Sequence, residues 1–226
     1  MPVFRLTEAL VFPDPELAEN GLLAIGGDLS VARLLLAYRS GIFPWFGEED
    51  PLLWWSPPER ALLRPGHLHL SERTRRHLRQ SRFEIRLDTA FAAVIDHCSQ
   101  VPRPGQDGTW ITRGMRDAYV ALHRAGHAHS VEAWRDGELR GGLYGVSLGG
   151  AFFGESMFSL EAEASRAALA ALDARLAAWG FTMLDGQLPH AGLAGYGFQV
   201  VARSQFLAEL AGALRAKGQE GTWSER

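Results

Sequence analysis

Gly145-Val146-Ser147-Leu148-Gly149-Gly150-Ala151-Phe152-Phe153-Gly154 is the stretch on which the fold turns. Its first five residues spell the G-x-S-x-G pattern of a nucleophile elbow, and Asp173 or Asp185 followed by His190 completes the chain order of an α/β-hydrolase triad. An elbow needs a helix directly after its serine. Here two glycines stand where that helix would begin, and β-favouring aromatic residues follow, so the stretch reads as a tight turn between two strands. Leu139–Ser147 and Ala151–Phe158 are then neighbouring strands of one sheet, and Ser147 is not a nucleophile.

Upstream of this hairpin, Asp136-Gly137 is a second hairpin turn that leads back to a strand over Ser130–Trp134. Before it, Met115, Ala118, Tyr119 and Leu122 form the apolar stripe of a helix ending near Gly126. Downstream, Leu169, Leu172, Leu176 and Trp179 share a helix face that Gly180 terminates, and Phe181–Leu184 reads as a strand. A last helix runs through Phe206, Leu207, Leu210 and Leu214, and the tail from Gly218 to Arg226 reads as loose. Further upstream, Ser71 caps a helix, Phe83–Leu87 alternates as a half-buried strand does, and Asp88 caps a helix through Phe91, Val94, Ile95 and Cys98. The Pro- and Gly-containing loop Val101–Gly108 reads as an ordered functional loop. The first seventy residues differ in kind. They are rich in turns, with one short helix that Ser30 caps and Gly41 ends. The expected architecture is α+β, with a small N-terminal α/β domain over residues 1–70 and a mixed-sheet domain over residues 71–226.

With 46% apolar residues among 226, the chain can fill a real core. A single cysteine excludes an intramolecular disulfide, and residues 1–20 lack the pattern of an export signal, so a cytoplasmic address is expected. The apolar runs fall far short of the roughly 20 residues that span a bilayer. A net charge of −3 leaves nucleic-acid binding to a local patch, and Arg73, Arg75, Arg76, Arg79, Arg82 and Arg86 supply one candidate. The pairs His67/His69 and His127/His129 lack third and fourth ligands nearby, and neither a P-loop nor a dinucleotide glycine motif occurs, so no metal or cofactor is expected. Trp45, Trp54, Trp55 and Trp110 lie in turns and not on periodic faces. Several of these rings can therefore line a cleft, where stacking on an unpaired base contributes about 1–3 kcal/mol.

Seven blocks in order carry a family resemblance: Asn20-Gly-Leu-Leu-Ala-Ile-Gly-Gly-Asp-Leu-Ser30, Gly41-Ile-Phe-Pro-Trp-Phe46, Leu53-Trp-Trp-Ser-Pro57, Gly108-Thr-Trp-Ile-Thr-Arg-Gly114, Gly126-His-Ala-His-Ser130, Gly142-Leu-Tyr-Gly-Val146 and Gly154-Glu-Ser-Met-Phe-Ser159. They resemble the leucyl/phenylalanyl-tRNA-protein transferase family over roughly residues 4 to 210. The resemblance implies that the second domain is a GNAT-type acyltransferase domain. It also implies transfer of Leu or Phe, sometimes Met, from aminoacyl-tRNA to acceptor proteins beginning with Arg or Lys, which are thereby marked for degradation by the N-end rule pathway. By the same resemblance, Trp45 and Trp110 hold the terminal adenosine, and Leu143, Phe152, Leu169, Leu172 and Leu184 form the aminoacyl pocket. Gln187 binds or helps deprotonate the attacking amine, Asp185 orients it, and Glu155 holds the basic N-terminus. Arg73, Arg75, Arg76 and Arg79 are then the candidates for tRNA phosphates.

Three positions depart from the family pattern. Leu160 replaces an expected basic residue, Leu172 replaces an aromatic, and Gly192 stands where a histidine is usual, with His190 two residues earlier. Two other functions compete. An acyl-CoA-dependent N-acyltransferase is disfavoured because no pyrophosphate loop opens a helix after the central hairpin. A non-enzymatic RNA-binding module leaves Glu155, Asp185 and Gln187 unexplained.

Overall fold

Two sheets organise the chain in a computed structural model that describes residues 3–101, 109–219 and 221–224. The smaller begins with β1 (Phe4–Leu6), parallel to β2 (Leu22–Gly26). Helix α1 (Val31–Arg39) starts where Ser30 Oγ accepts the Arg33 amide at 3.3 Å, and it gives way to Gly41 at φ +71°. That left-handed turn suits glycine, and a Cβ there would also meet Leu207 at 2.6 Å. β3 (Phe43–Pro44) and β4 (Leu53–Trp55) complete the order β1-β2-β4-β3. Buried Arg33 fastens the leading segment. Its guanidinium bonds Asp28 at 3.0 Å and donates to the carbonyls of Thr7 and Ala9 at 2.9 and 3.2 Å.

The larger sheet takes β5 (Glu59–Leu63) from before residue 70. The chain then runs through α2 (Glu72–Ser81), β6 (Glu84–Leu87), α3 (Phe91–Ser99), α4 (Arg113–Arg124), β7 (Ala128–Arg135), β8 (Glu138–Leu148) and β9 (Ala151–Ser159). It finishes with α5 (Ala164–Ala178), β10 (Met183–Asp185), α6 (Ala191–Ala194), β11 (Gln199–Ala202) and α7 (Arg203–Ala213). The strand order is β11-β5-β10-β9-β8-β7-β6. Among the described strands of this sheet only β9 and β10 run parallel, because α5 is the crossover that joins them. The chain is thus α+β with two mixed sheets.

The glycine-rich hairpin has the expected form. Ser147 lies within β8, its amide donating to the His127 carbonyl at 2.8 Å, and Gly149-Gly150 turns directly into β9. Alternation along β9 sends Phe152 and Phe153 to opposite faces. Phe153 packs with Val94, Met115, Tyr119 and Val146 beneath α3 and α4, whereas Phe152 packs with Leu143, Leu169 and Leu172 beneath α5.

Two local expectations are overturned. Asp88 does not cap α3, whose N-cap is Ala90 without a side-chain bond. Asp88 adopts φ +56° and turns its carboxylate to His129 Nδ1 at 2.8 Å, the Ser130 amide at 2.9 Å and the Trp223 amide at 2.7 Å. The tail is not loose throughout: Trp223 is fully buried, stacked on His129 with ring centroids 3.9 Å apart. A buried carboxylate is better satisfied by three donors, two from β7 and one from the tail, than by one helix terminus. Most of the loop expected over Val101–Gly108, from residue 102 to 108, lies outside the described residues.

Candidate functional site

The turn after β10 gathers the polar groups. Asp185 ends that strand with a fully buried side chain, and Gln187 two residues on adopts φ +61°. A left-handed conformation is uncommon for a residue with a Cβ and needs outside support. The Gln187 amide donates to Asp185 Oδ1 at 2.8 Å, and its carbonyl accepts from Ala61 N at 2.9 Å. From this backbone Gln187 Nε2 reaches Glu155 Oε1 at 2.7 Å. Asp185, Gln187 and Glu155, separated in sequence, therefore form one constellation.

Tyr38 from α1 and Tyr119 from α4 converge on the same carboxylate. Their hydroxyls donate to Glu155 Oε1 and Oε2 at 2.7 and 3.0 Å, and the two hydroxyl oxygens lie against each other. Glu155 is half-buried, and its carboxyl oxygens are wrapped by these donors. Loss of water pushes its pKa up to about 7, with the negative Asp185 adding to the rise, while the hydrogen bonds from Tyr38, Tyr119 and Gln187 pull against it. Burial and the neighbouring Glu155 hold both tyrosines well above their ordinary value, so the hydroxyls stay protonated donors. Sequence reasoning missed both tyrosines because each lies on an apolar helix stripe that reads as core. It also missed Arg60, which donates to both oxygens of Asp185 from β5.

Three cavities adjoin in series, and two of them border Glu155. One of about 500 Å³ is lined by the rings of Trp45, Phe46, Trp55 and Trp110 and by the exposed acidic run Glu48–Asp50. Trp45 and Trp110 also line a second of about 260 Å³, whose other wall is Glu155, Gln187 and His190. Glu155 and His190 in turn border a third of about 420 Å³, walled by Leu143, Met157, Leu169, Leu172, Leu184, Leu193, Tyr196 and Phe198. Trp54 is not part of this surface. It is fully buried, and its indole N–H donates to the Gly26 carbonyl at 2.8 Å.

Four of the five residues expected in an apolar pocket thus line one cavity. Phe152 does not; it lies fully buried under the sheet surface, packed against Trp223 and beneath Gly145, where a Cβ would come within 2.4 Å of its ring. Met157, Leu193, Tyr196 and Phe198 were not anticipated. The last three belong to the segment around α6, which Arg166 of α5 ties down through a 2.9 Å bond to the Tyr196 hydroxyl.

The arginine segment forms α2 and β6. Arg73, Arg76, Arg79 and Arg82 are exposed, Arg75 pairs with Glu72 at 2.9 Å, and Arg86 pairs with Glu84 while lying over Trp134. Of His127 and His129, only the latter enters a polar network, that of Asp88. Among the described residues, no group of three His, Cys, Asp or Glu side chains is placed to hold a metal, and no helix is long and apolar enough to cross a membrane.

Comparison with known proteins follows the same outline. A family profile described as leucyl/phenylalanyl-tRNA protein transferase matches residues 62–211, and the profile of that family's N-terminal domain matches residues 27–58. The Myxococcus xanthus leucyl/phenylalanyl-tRNA–protein transferase is 51% identical over 228 residues, covering 100% of this chain and 97% of the relative. The Syntrophobacter fumaroxidans protein of the same name is 54% identical over 212 residues, covering 93% and 91%. Among solved structures, a functionally unknown conserved protein from Staphylococcus epidermidis covers 79% of this chain and 68% of its own at a TM-score of 0.41 and 10% identity, too distant to define the fold family. On the profiles and the near-complete alignment with these relatives, the chain belongs to the leucyl/phenylalanyl-tRNA protein transferase family.

Proposed function

We propose that this chain transfers leucine or phenylalanine, and sometimes methionine, from aminoacyl-tRNA to the α-amino group of proteins beginning with Arg or Lys. Family membership makes it an aminoacyltransferase. The observation that carries the detailed reading is the position of Glu155 and Gln187 where an aromatic cavity meets an apolar one. The aromatic side, with Trp45 and Trp110, suits a stacked terminal adenosine. The apolar side, with Leu143, Leu169, Leu172 and Leu184 lining it and Phe152 packed behind them, suits an aminoacyl side chain. Such a pocket selects by volume, and a methylene changes binding by only about 1–3 kcal/mol, so Leu and Phe are both tolerated.

Bound this way, the substrate has its ester carbonyl between the two cavities, beside Glu155 and Gln187. The acceptor amine attacks the carbonyl carbon and forms the new C–N bond. Its proton passes to Glu155, whose raised pKa near 7 suits a base working at neutral pH. The C–O bond to the terminal ribose then breaks, and the ribose oxygen leaves with the proton that Glu155 returns. Gln187 carries no basic group and serves to align the amine and the carboxylate. The ester is already activated, so the barrier is lowered chiefly by positioning, and no step calls for a metal or cofactor. The exposed arginines of α2, namely Arg73, Arg75, Arg76 and Arg79, are read as contacts for tRNA phosphates.

The larger sheet with its parallel β9–α5–β10 unit is read as a GNAT-type acyltransferase domain over residues 71–226. The N-terminal domain, residues 1–70, lends it β5. Addition of leucine or phenylalanine to a basic N-terminus marks the acceptor for the N-end rule pathway, a cytoplasmic task. Incubation with labelled Leu-tRNA or labelled acetyl-CoA and a peptide beginning with Arg tests the reading. Leucine should appear on the peptide; transfer of the acetyl label instead assigns the chain to acyl-CoA chemistry.

A further inference from the structure

Arg60 is 1% exposed on β5 and reaches none of the cavities at the reaction centre. Every arm of its guanidinium is committed. Nε donates to Asp185 Oδ1 at 3.3 Å, Nη2 donates to Asp185 Oδ2, and Nη1 donates to the Gly41 carbonyl at 2.8 Å. The rings of Phe206 and Phe43 lie 4.1 and 5.0 Å from its central carbon. The side chain thus joins the turn after α1, helix α7 and the end of β10. Two buried charges are costly to desolvate, and an apolar pair filling the same space is often no less stable, so such a pair is weak grounds for stability alone.

What the pair does is visible in its neighbours. Asp185 Oδ1, fixed by Arg60 Nε, is the acceptor for the Gln187 amide, and Ala61, the residue after Arg60, donates its own amide to the Gln187 carbonyl at 2.9 Å. Both ends of the left-handed Gln187 peptide are therefore held from Arg60 or its neighbour. From that conformation Gln187 Nε2 meets Glu155 at 2.7 Å. We propose that Arg60 is a positioning residue of the transfer reaction, acting through Asp185 to fix the turn that aims Gln187 at Glu155. This inference rests on the aminoacyl-transfer reading. It makes Asp185 a strut and not a proton acceptor, since both of its oxygens face the guanidinium and its side chain reaches no solvent.

The test is a double-mutant cycle between Arg60→Lys and Gln187→Asn, read as kcat and KM for Leu-tRNA with a peptide acceptor. Asparagine tolerates the left-handed backbone, but its amide is too short to reach Glu155. Lysine keeps the charge and loses the fork that grips Asp185. In the unaltered background, Arg60→Lys should lower kcat by about 10- to 100-fold, the scale of a small misplacement, with little change in KM. In the Gln187→Asn background the same change should cost less than about 3-fold, because the group it positions is already lost. An equal loss in both backgrounds, or full kcat in Arg60→Lys, overturns the proposal. Should Arg60→Lys fail to fold, Phe206→Leu loosens the stack with the charge intact and should give a smaller kcat loss with the same non-additivity; additivity there overturns it equally. Absence of leucine transfer by the unaltered chain refutes the functional reading itself, and the inference with it.

Discussion

Glu155→Gln should change stability and activity with opposite dependence on pH. The carboxyl has a pKa of about 7 in the folded chain, raised from an ordinary value of 4.5. A folded state that holds its proton more tightly than the unfolded one is favoured at low pH. That contribution is complete below about 4.5 and disappears as pH climbs through about 7. The displacement is worth about 3 kcal/mol at about 1.4 kcal/mol per pH unit, and partial exposure of the side chain reduces it to about 2 kcal/mol. Glutamine is uncharged throughout, so urea unfolding of both proteins at pH 5 and pH 8 isolates the ionisation, with all other groups cancelling. The unaltered protein should lose about 2 kcal/mol relative to the variant between those pH values. Over the same range its kcat/KM should rise with a midpoint near 7 as Glu155 becomes a base, whereas the variant should be about 100-fold slower and lack that limb. A stability difference independent of pH refutes the burial argument, and a variant that keeps the limb refutes Glu155 as proton acceptor.

Trp45→Ala and Trp110→Ala should each weaken Leu-tRNA and Phe-tRNA use alike, by about 1–3 kcal/mol in kcat/KM, because a stacked base does not sense the amino acid its ribose carries. A changed Leu-to-Phe ratio would place those rings in the side-chain pocket. Replacing Arg73 and Arg76 together with alanine should flatten the salt dependence of tRNA binding by about 1.4 to 1.8 in the log–log slope, two phosphates' worth. An unchanged slope would assign that face of α2 to solvation. Tyr196→Ala, which opens the wall of the apolar cavity, should favour phenylalanine over leucine by roughly 10-fold, and Arg166→Ala, which frees the same ring, should shift the ratio in the same direction by less. Ser147→Ala should retain most transfer activity, and covalent labelling of Ser147 by a serine-hydrolase probe would contradict the hairpin reading.

The elements were legible where one local rule was enough. Ser30 and Ser71 cap the helices they precede, and the glycines at 149 and 150 turn a strand where an elbow would need a helix. Legibility stopped where a side chain serves a distant segment. Asp88 has the composition of a cap, but its strained backbone turns the carboxylate to a histidine on β7 and to the C-terminal tail. Tyr38 and Tyr119 carry the periodicity of core residues and are core residues by burial; only the meeting of α1 with α4 brings their hydroxyls onto Glu155. Arg60 sits among prolines with no periodic signature, and its partner is on a strand added next to it late in the chain. The apolar cavity divided along the same line. Leu143, Leu169, Leu172 and Leu184 belong to long regular elements, whereas Leu193, Tyr196 and Phe198 come from the one-turn α6 and the loop after it, whose course is set by ties to Arg166 and His69; Met157 of β9 is the exception.

The misleading serine motif has a structural use that connects the hairpin to the site. Gly145 is required because a Cβ there would meet the Phe153 carbonyl oxygen at 2.2 Å and the Phe152 ring at 2.4 Å, not because a nucleophile needs room. Phe152 packs in turn against Trp223, which stacks on His129 while its backbone amide bonds Asp88. The surface beneath the apolar cavity is therefore backed by a column of rings ending at a buried carboxylate, and the tail contributes to it. A floor built this way resists collapse when a side chain enters or leaves, because each ring is held on its far side. The outer wall around α6 is a short segment tied at a few hydrogen bonds. Volume selection by the cavity is thus set against a rigid back and a lighter front, and substitutions at the front should tune the amino acid accepted while those in the column should mainly cost stability.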